Sequence, residues 1–418
     1  MTSFSLRRLI LACTVSAAAV VAVAAPGTAS AASDLGEQCS GASIKGDGSS
    51  FQAPILKKWS TEFSESNNPL GCDGGQGSKG TPKVEYLQGS AEKGSGACLH
   101  GWGAESTEEV KYGTFGFCGT DEAPNPTQKK EIESHATAGV KEKSLEEIPV
   151  LQGAVAVIVH LPKSCLATSE VEKGGVKSKL GRLVLDDTSI EGVYAGTIKT
   201  WKQLLENQAA EDGAGNDKLT CKEASREEQR IVPVVRLDHS GTTHIFKAFL
   251  LQVNATPIEM EEYPEEIGGK KTGCGAAKGE EAEKWSEVAE ACQNQRWPKA
   301  AEIERGTESG NPGVVKRVNE VESSIGYADL AVTRELHDFS AKCSVHPGEC
   351  GGENTGGQQN TKFWVEVQDS EAPEAAGFSD PATNGDIEAP QNSRCNGTVY
   401  TNESGKKFPP ANTRWCRT

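Results

Sequence analysis

The sequence predicts an α/β fold whose strands pair mainly in parallel, and three observations predict it. Residues 154–161 form a continuous apolar run bounded by Gly153 and Pro162, the mark of a strand buried on both faces. Residues 231–237 form a second such run, followed by a Gly-containing turn. Helical spacing is clearest in Phe51, Ile55, Trp59 and Phe63, and recurs in Ile245, Phe246, Phe249, Leu250 and Val253. Strands that alternate with helices favour parallel neighbours.

In chain order, the first segment stands apart. Arg7 and Arg8 precede an apolar stretch from Leu9 to about Ala25, and Ala29-Ser30-Ala31 is a small-residue cleavage site. Residues 1–31 read as a secretory signal peptide, so the chain is expected to be exported, to a periplasm or the cell surface. Residues 84–87 are a short strand, and 116–118 end another. Residues 154–161 are the central strand. Pro233 lacks an N–H, so the start of strand 231–237 is expected to be incompletely paired. Residues 363–367 alternate and read as a further strand. Three polar stretches, 206–228, 259–290 and 337–361, read as surface insertions.

The chain has 418 residues, enough for two or three domains. Its 43 Lys and Arg against 59 Asp and Glu give a net charge of −16. No basic stripe is present, which excludes a nucleic-acid partner. Of 13 cysteines, Cys13 leaves with the signal peptide, and an even number remains. In an exported chain these read as disulfides that pin the insertions. No CxxC or CxxH spacing suggests zinc, and no cofactor is implied.

Four motifs could carry chemistry. Gly46-Asp47-Gly48-Ser49-Ser50-Phe51 precedes the first helix, with Pro54 in its first turn and Ser49 or Ser50 as the capping hydroxyl. A helix N-terminus of this kind suits an anion. Arg236-Leu237-Asp238-His239-Ser240-Gly241-Thr242-Thr243 joins strand 231–237 to the second helix. Arg236 offers a bidentate fork to an oxyanion, and Asp238 can orient it. Gly94-Ser95-Gly96 is a short turn after strand 84–87. Gly119-Thr120-Asp121-Glu122-Ala123-Pro124 offers Asp121 as a helix cap, or as an acceptor for a protonated ligand.

These four motifs, in this order, resemble the phosphate-binding protein of the phosphate ABC transporter, in the periplasmic-binding-protein superfamily. The family's Gly-Ala-Gly-Ala-Thr-Phe-Pro-Ala-Pro is similar to residues 46–54. Its Ser-Asp-Ala-Pro resembles 120–124, with Glu122 inserted. Its Arg-x-Asp-x-Ser-Gly-Thr matches 236–242. Ile148-Pro149, residues 192–201 and Ser324-Ile325-Gly326-Tyr327 extend the likeness over roughly 43–335. The resemblance implies a two-lobe, Venus-flytrap architecture with mixed, mainly parallel sheets. Lobe 1 would be 43–149 plus 366–418, and lobe 2 would be 150–365. It implies a phosphate ligand set of Ser50, the Phe51 N–H, Ser95, Asp121, Arg236, Ser240, Gly241 and Thr242, with Asp238 orienting Arg236. Ser90 competes with Ser95, and Glu122 is the alternative to Asp121. His239 stands where the family often has Gly. After Tyr327 the chain is rich in insertions, and by this resemblance it is expected to stop short of the helices that usually complete the first lobe.

The function implied is that of a solute-binding protein rather than an enzyme. It would capture inorganic phosphate as a monomer and deliver it to a membrane permease. One alternative is a binder of another oxyanion, such as sulfate or molybdate. Another is a secreted phosphate-ester hydrolase with Ser240 as nucleophile and His239 or His244 as base. That reading lacks a Gly-x-Ser-x-Gly elbow and a metal-ligand cluster.

Overall fold

The computed structural model describes residues 42–64, 83–87, 94–104, 116–121, 123–135, 145–151, 153–163, 165–167, 170–173, 176–179, 183–212, 219–263, 265–267, 270–272, 282–285, 295–306, 310–335 and 361–368, with short pairs at 378–379, 400–401 and 407–408. The expected signal peptide, Ser90, Glu122 and most of 337–361 lie outside them.

Strands and helices alternate as expected. Strand β1 (Ile44–Gly48) leads to helix α1 (Ala53–Ser64), and β2 (Val84–Tyr86) leads to α2 (Ser95–Gly101). Next come β3 (Phe117–Gly119), α3 (Pro126–His135), β4 (Val155–His160) and β5 (Val184–Asp186). Helices α4 (Asp187–Ala195) and α5 (Trp201–Asp212) precede β6 (Val232–Val235) and α6 (Gly241–Val253). After β7 (Glu304–Arg305) come α7 (Asn311–Glu320), β8 (Ser324–Asp329), β9 (Lys362–Trp364) and β10 (Glu366–Gln368).

Two sheets position the site. The smaller has order β2-β1-β3, all parallel. The larger has order β7-β6-β8-β4-β9. There β6 is parallel to both β7 and β8, while β4 is antiparallel to β8 and β9. Strand β4 is interior, with Ala156, Ile158 and Val159 wholly buried, as its apolar run requires. Ile231 leaves the sheet to donate to the Lys199 carbonyl, so β6 starts at Val232 and Pro233 lies opposite Ile325.

The expected strand at 363–367 divides. Val365 still donates to the Val157 carbonyl, but Glu366 turns to the Leu183 carbonyl, and β10 runs parallel to β5. The expected lobe boundary at 365/366 therefore falls between two strands that both pair with elements of the 150–365 segment.

The core sits against the larger sheet, where Trp201, Trp285, Trp297, Tyr194, Phe246 and Tyr327 pack together. The acidic stretch 259–290 is not wholly a surface insertion. Its Met260 and Trp285 are buried in this core, because β-structure at Ile258–Glu262 pairs with Arg296–Pro298. The other polar stretch is anchored by Leu219–Cys221, which pairs with Cys165–Ala167 and carries the Cys165–Cys221 disulfide. A second disulfide joins Cys98 to Cys118. The other eight cysteines expected to pair lie outside the described residues.

Candidate functional site

Parallel pairing of β1 with β3 sets Gly48 opposite Gly119. The turns after both strands therefore leave one edge of the smaller sheet, the usual place for a ligand in an open α/β sheet. Ser49 N donates to the Gly119 carbonyl at 2.7 Å and closes that edge. Ser49 is also the cap left open by the sequence, its Oγ accepting from Phe51 N at 2.9 Å and Gln52 N at 3.4 Å. Ser50 is thereby freed to face the larger sheet. The Phe51 N–H, expected to face a ligand, is directed at Ser49 Oγ.

On the other side, β6 delivers Arg236 and α6 begins at Gly241. Ser240 caps α6, its Oγ accepting from Thr243 N at 3.0 Å. Tyr327 of β8 stacks on Phe246 and meets Thr243 Oγ1 at 2.7 Å, and its hydroxyl accepts from Arg236 N at 3.4 Å. The turn is thus fastened to the core.

Arg236 is 2% exposed. Its Nε and Nη2 donate to Asp238 Oδ1 and Oδ2 at 2.9 and 2.5 Å. Burial lowers the guanidinium's pKa, but the Asp238 carboxylate, together with Tyr327 and Asp121, more than offsets this and holds it above its usual value. Nη1 remains turned to the smaller sheet, 3.5 Å from Ser50 Oγ and 3.4 Å from Thr242 Oγ1.

Asp121 faces this group. Its carboxylate accepts from the Ser49 hydroxyl, from Thr242 Oγ1 at 2.9 Å and from the Thr242 backbone N–H. Desolvation by burial pushes its pKa up, opposed by those hydrogen bonds and by Arg236. Ser95 Oγ accepts from Asp121 N at 3.2 Å. Gly241 must be glycine here: a Cβ would lie 2.6 Å from Ser95 Oγ and 2.9 Å from Asp121 Cβ. His239, in place of a glycine, touches the smaller sheet's unit through its backbone, its carbonyl accepting from Gly96 N at 3.2 Å.

The structure thus brings together Ser50, Phe51, Ser95, Asp121, Arg236, Asp238, Ser240, Gly241 and Thr242. It adds Gly310 and Asn311, which the sequence reading missed. Gly310 N donates to Asp238 Oδ2 at 3.3 Å, and Asn311 N to Ser50 Oγ at 3.1 Å. Gly310 holds φ 87°, a left-handed conformation that suits glycine. The signal was present in Gly310-Asn311-Pro312-Gly313, a Pro-led helix start before the apolar Val314, Val315 and Val318. The site therefore offers hydroxyl, amide and guanidinium donors around one acceptor. Donors that hold the Asp121 carboxylate can hold another oxyanion. Among the described residues no cluster of His, Cys, Asp or Glu could hold a metal ion, and no helix is long and apolar enough to cross a membrane.

A family model described as a PBP superfamily domain matches residues 28–345. The chain belongs to the PBP superfamily. Solved structures similar to this PBP superfamily member include a phosphate-binding protein from Stenotrophomonas maltophilia, at 16% identity and TM-score 0.35, covering 78% of this chain and 65% of that one. Another is an ABC-type phosphate transport receptor from Vibrio cholerae, at 13% identity and TM-score 0.31, covering 83% and 81%. The chain thus spans just under two thirds of the Stenotrophomonas protein's length.

Proposed function

We propose that this chain is an exported solute-binding protein that captures inorganic phosphate between two lobes and passes it to an ABC permease. One observation carries the reading: a buried Arg236, oriented by Asp238, meets Ser50 from the turn after β1 and Thr242 from α6, with Asp121 as the opposing acceptor. In this reading Ser50, Ser95, Arg236, Ser240, Gly241 and Thr242 supply donors, the Phe51 N–H being held by Ser49 Oγ, and Asp121 takes the proton that phosphate still carries near neutral pH. Sulfate has no proton to give, so the carboxylate would repel it. Micromolar binding needs about −8 kcal/mol. Charge-assisted hydrogen bonds of about 1.5–3 kcal/mol each make that reachable.

The smaller sheet's unit would be lobe 1, from 43 to 149, and the larger unit lobe 2, including β10. The contacts of Ser50 with Arg236 and of Asp121 with Thr242 would be those of closed lobes, and opening of the lobes would part them. A monomer suffices, because both halves of the site come from one chain. Ser240 as a hydrolytic nucleophile is disfavoured, since its oxygen serves as the cap of α6.

Titration calorimetry of the purified protein with phosphate and sulfate tests the reading. A micromolar or tighter Kd for phosphate, and no heat with sulfate at the same concentrations, is expected. Absence of phosphate binding at millimolar concentration, or tighter sulfate binding, would refute it. A chromogenic phosphate ester should release no phosphate.

A further inference from the structure

Asn311 heads α7 and is wholly buried. We infer that Asn311 is a positioning residue that fixes Ser50 and Thr242 as donors toward the anion, an inference that rests on the phosphate reading above. A hydroxyl has one proton to donate and two lone pairs with which to accept. Ser50 Oγ accepts from Asn311 N and from Asn311 Nδ2 at 3.1 Å each, and more weakly from Arg236 Nη1 at 3.5 Å. Its lone pairs are therefore taken. Its O–H finds no acceptor among the described residues, so the proton is left for a ligand.

Thr242 Oγ1 is treated alike. It accepts from Asn311 Nδ2 at 3.3 Å and from Arg236 Nη1 at 3.4 Å, and donates to Asp121 Oδ2 at 2.9 Å. An anion that took over this proton would meet the same donor geometry. The orientation of the amide is itself imposed. Asn311 Oδ1 accepts from Asp329 N at 3.2 Å, which leaves Nδ2 facing the two hydroxyls. Asp329 ends β8 of the larger sheet, whereas Ser50 follows β1 of the smaller one. One carboxamide thus sets the polarity of hydroxyls from both.

The test is a thermodynamic cycle read by phosphate calorimetry. In the parent background Asn311→Ala should weaken phosphate binding about tenfold, the worth of roughly one good hydrogen bond. In a Ser50→Ala/Thr242→Val background the same change should weaken it less than about twofold, because the groups it acts through are gone. An equal loss in both backgrounds would mean that Asn311 serves the fold alone, and would overturn the inference. So would no loss in the parent.

Asn311→Asp guards against a folding artefact. It keeps an acceptor for Asp329 N and places an acid at a helix N-terminus, so its Tm should be at least that of Asn311→Ala. It replaces a donor with an acceptor, so its phosphate affinity should be the lower of the two. Parent-like affinity in Asn311→Asp would overturn the inference. A parent that binds no phosphate would instead sink the phosphate reading, and the inference with it, and the parent titration alone separates that outcome.

Discussion

The two sides of the site are held in place by different means. On the larger sheet, Arg236 directly follows β6 and Thr242 stands on α6, both backed by an aromatic core of Phe246, Tyr327, Tyr194 and Trp297. On the smaller sheet, Ser95 and Asp121 stand on a seven-residue helix and the turn after a three-residue strand. Among the described residues the apolar cluster nearby is Leu99, Ala104 and Ile132, with Trp102 and Leu145 packed against it. What replaces packing there is covalent. Cys98, three residues beyond Ser95, is bonded to Cys118, three residues before Asp121. The larger unit has a cross-link too, Cys165–Cys221, but that one is added to an extensive apolar core, whereas Cys98–Cys118 directly ties the segments that carry Ser95 and Asp121.

Removing Arg236 should produce the largest effect. Arg236→Ala deletes the fixed charge and takes from Asp238, with a side chain 6% exposed, its ion-pair cation. Phosphate affinity should fall at least about hundredfold, the value of two charge-assisted hydrogen bonds. The Tm should fall too, since breaking a buried ion pair costs about 3–5 kcal/mol. Binding within about threefold of the parent, by calorimetry, would show that Arg236 is not a ligand.

Asp121→Asn probes the weaker side. It supplies a donor in place of the carboxylate, so sulfate binding should appear, and phosphate binding should fall less than in Arg236→Ala. Unchanged rejection of sulfate would remove Asp121 from the discriminating role. The same variant has a pH signature. Because burial raises the folded-state pKa of Asp121, the ligand-free protein binds more protons at this group than the unfolded chain does. Its contribution to stability should decline as pH rises from the ordinary carboxylate pKa through the raised one. Asp121→Asn should flatten that slope in Tm against pH, and an unchanged slope would assign it to other groups.

The two disulfides give the sharpest comparison and the smallest expected change in affinity. Cys98→Ser/Cys118→Ser opens a link of sequence separation 20, and Cys165→Ser/Cys221→Ser one of 56. Each should lower stability by about 2–4 kcal/mol, the longer loop losing more. Affinity should follow the opposite order. The first pair should cost about tenfold in phosphate Kd, roughly one positioned hydrogen bond. The second, remote from the site, should stay within about twofold. Equal affinities for the two variants would mean that Ser95 and Asp121 are held without the cross-link.

The sequence by itself determined those parts of the site that are contiguous. The strand before Arg236, the Arg236 and Asp238 pair and the start of α6 are bound to one another by steric and hydrogen-bonding rules spanning a few residues, whereas the trimming of that strand to Val232–Val235 and the capping role of Ser240 came from the structure. The Ser49-Ser50 turn before α1 was legible for the same reason, but not which serine caps, because that depends on where β3 lies beside β1. The split of 363–367 into β9 and β10 also needed the fold: alternation marks a strand but does not name its partners. Asn311 is the clearest case of what only tertiary structure decided. Its partner Ser50 lies 261 residues away, and no local pattern carries that pairing. An amide in a Gly-Asn-Pro-Gly turn reads as an ordinary helix start until packing of α7 against β8 brings it beneath the opposite sheet's hydroxyl.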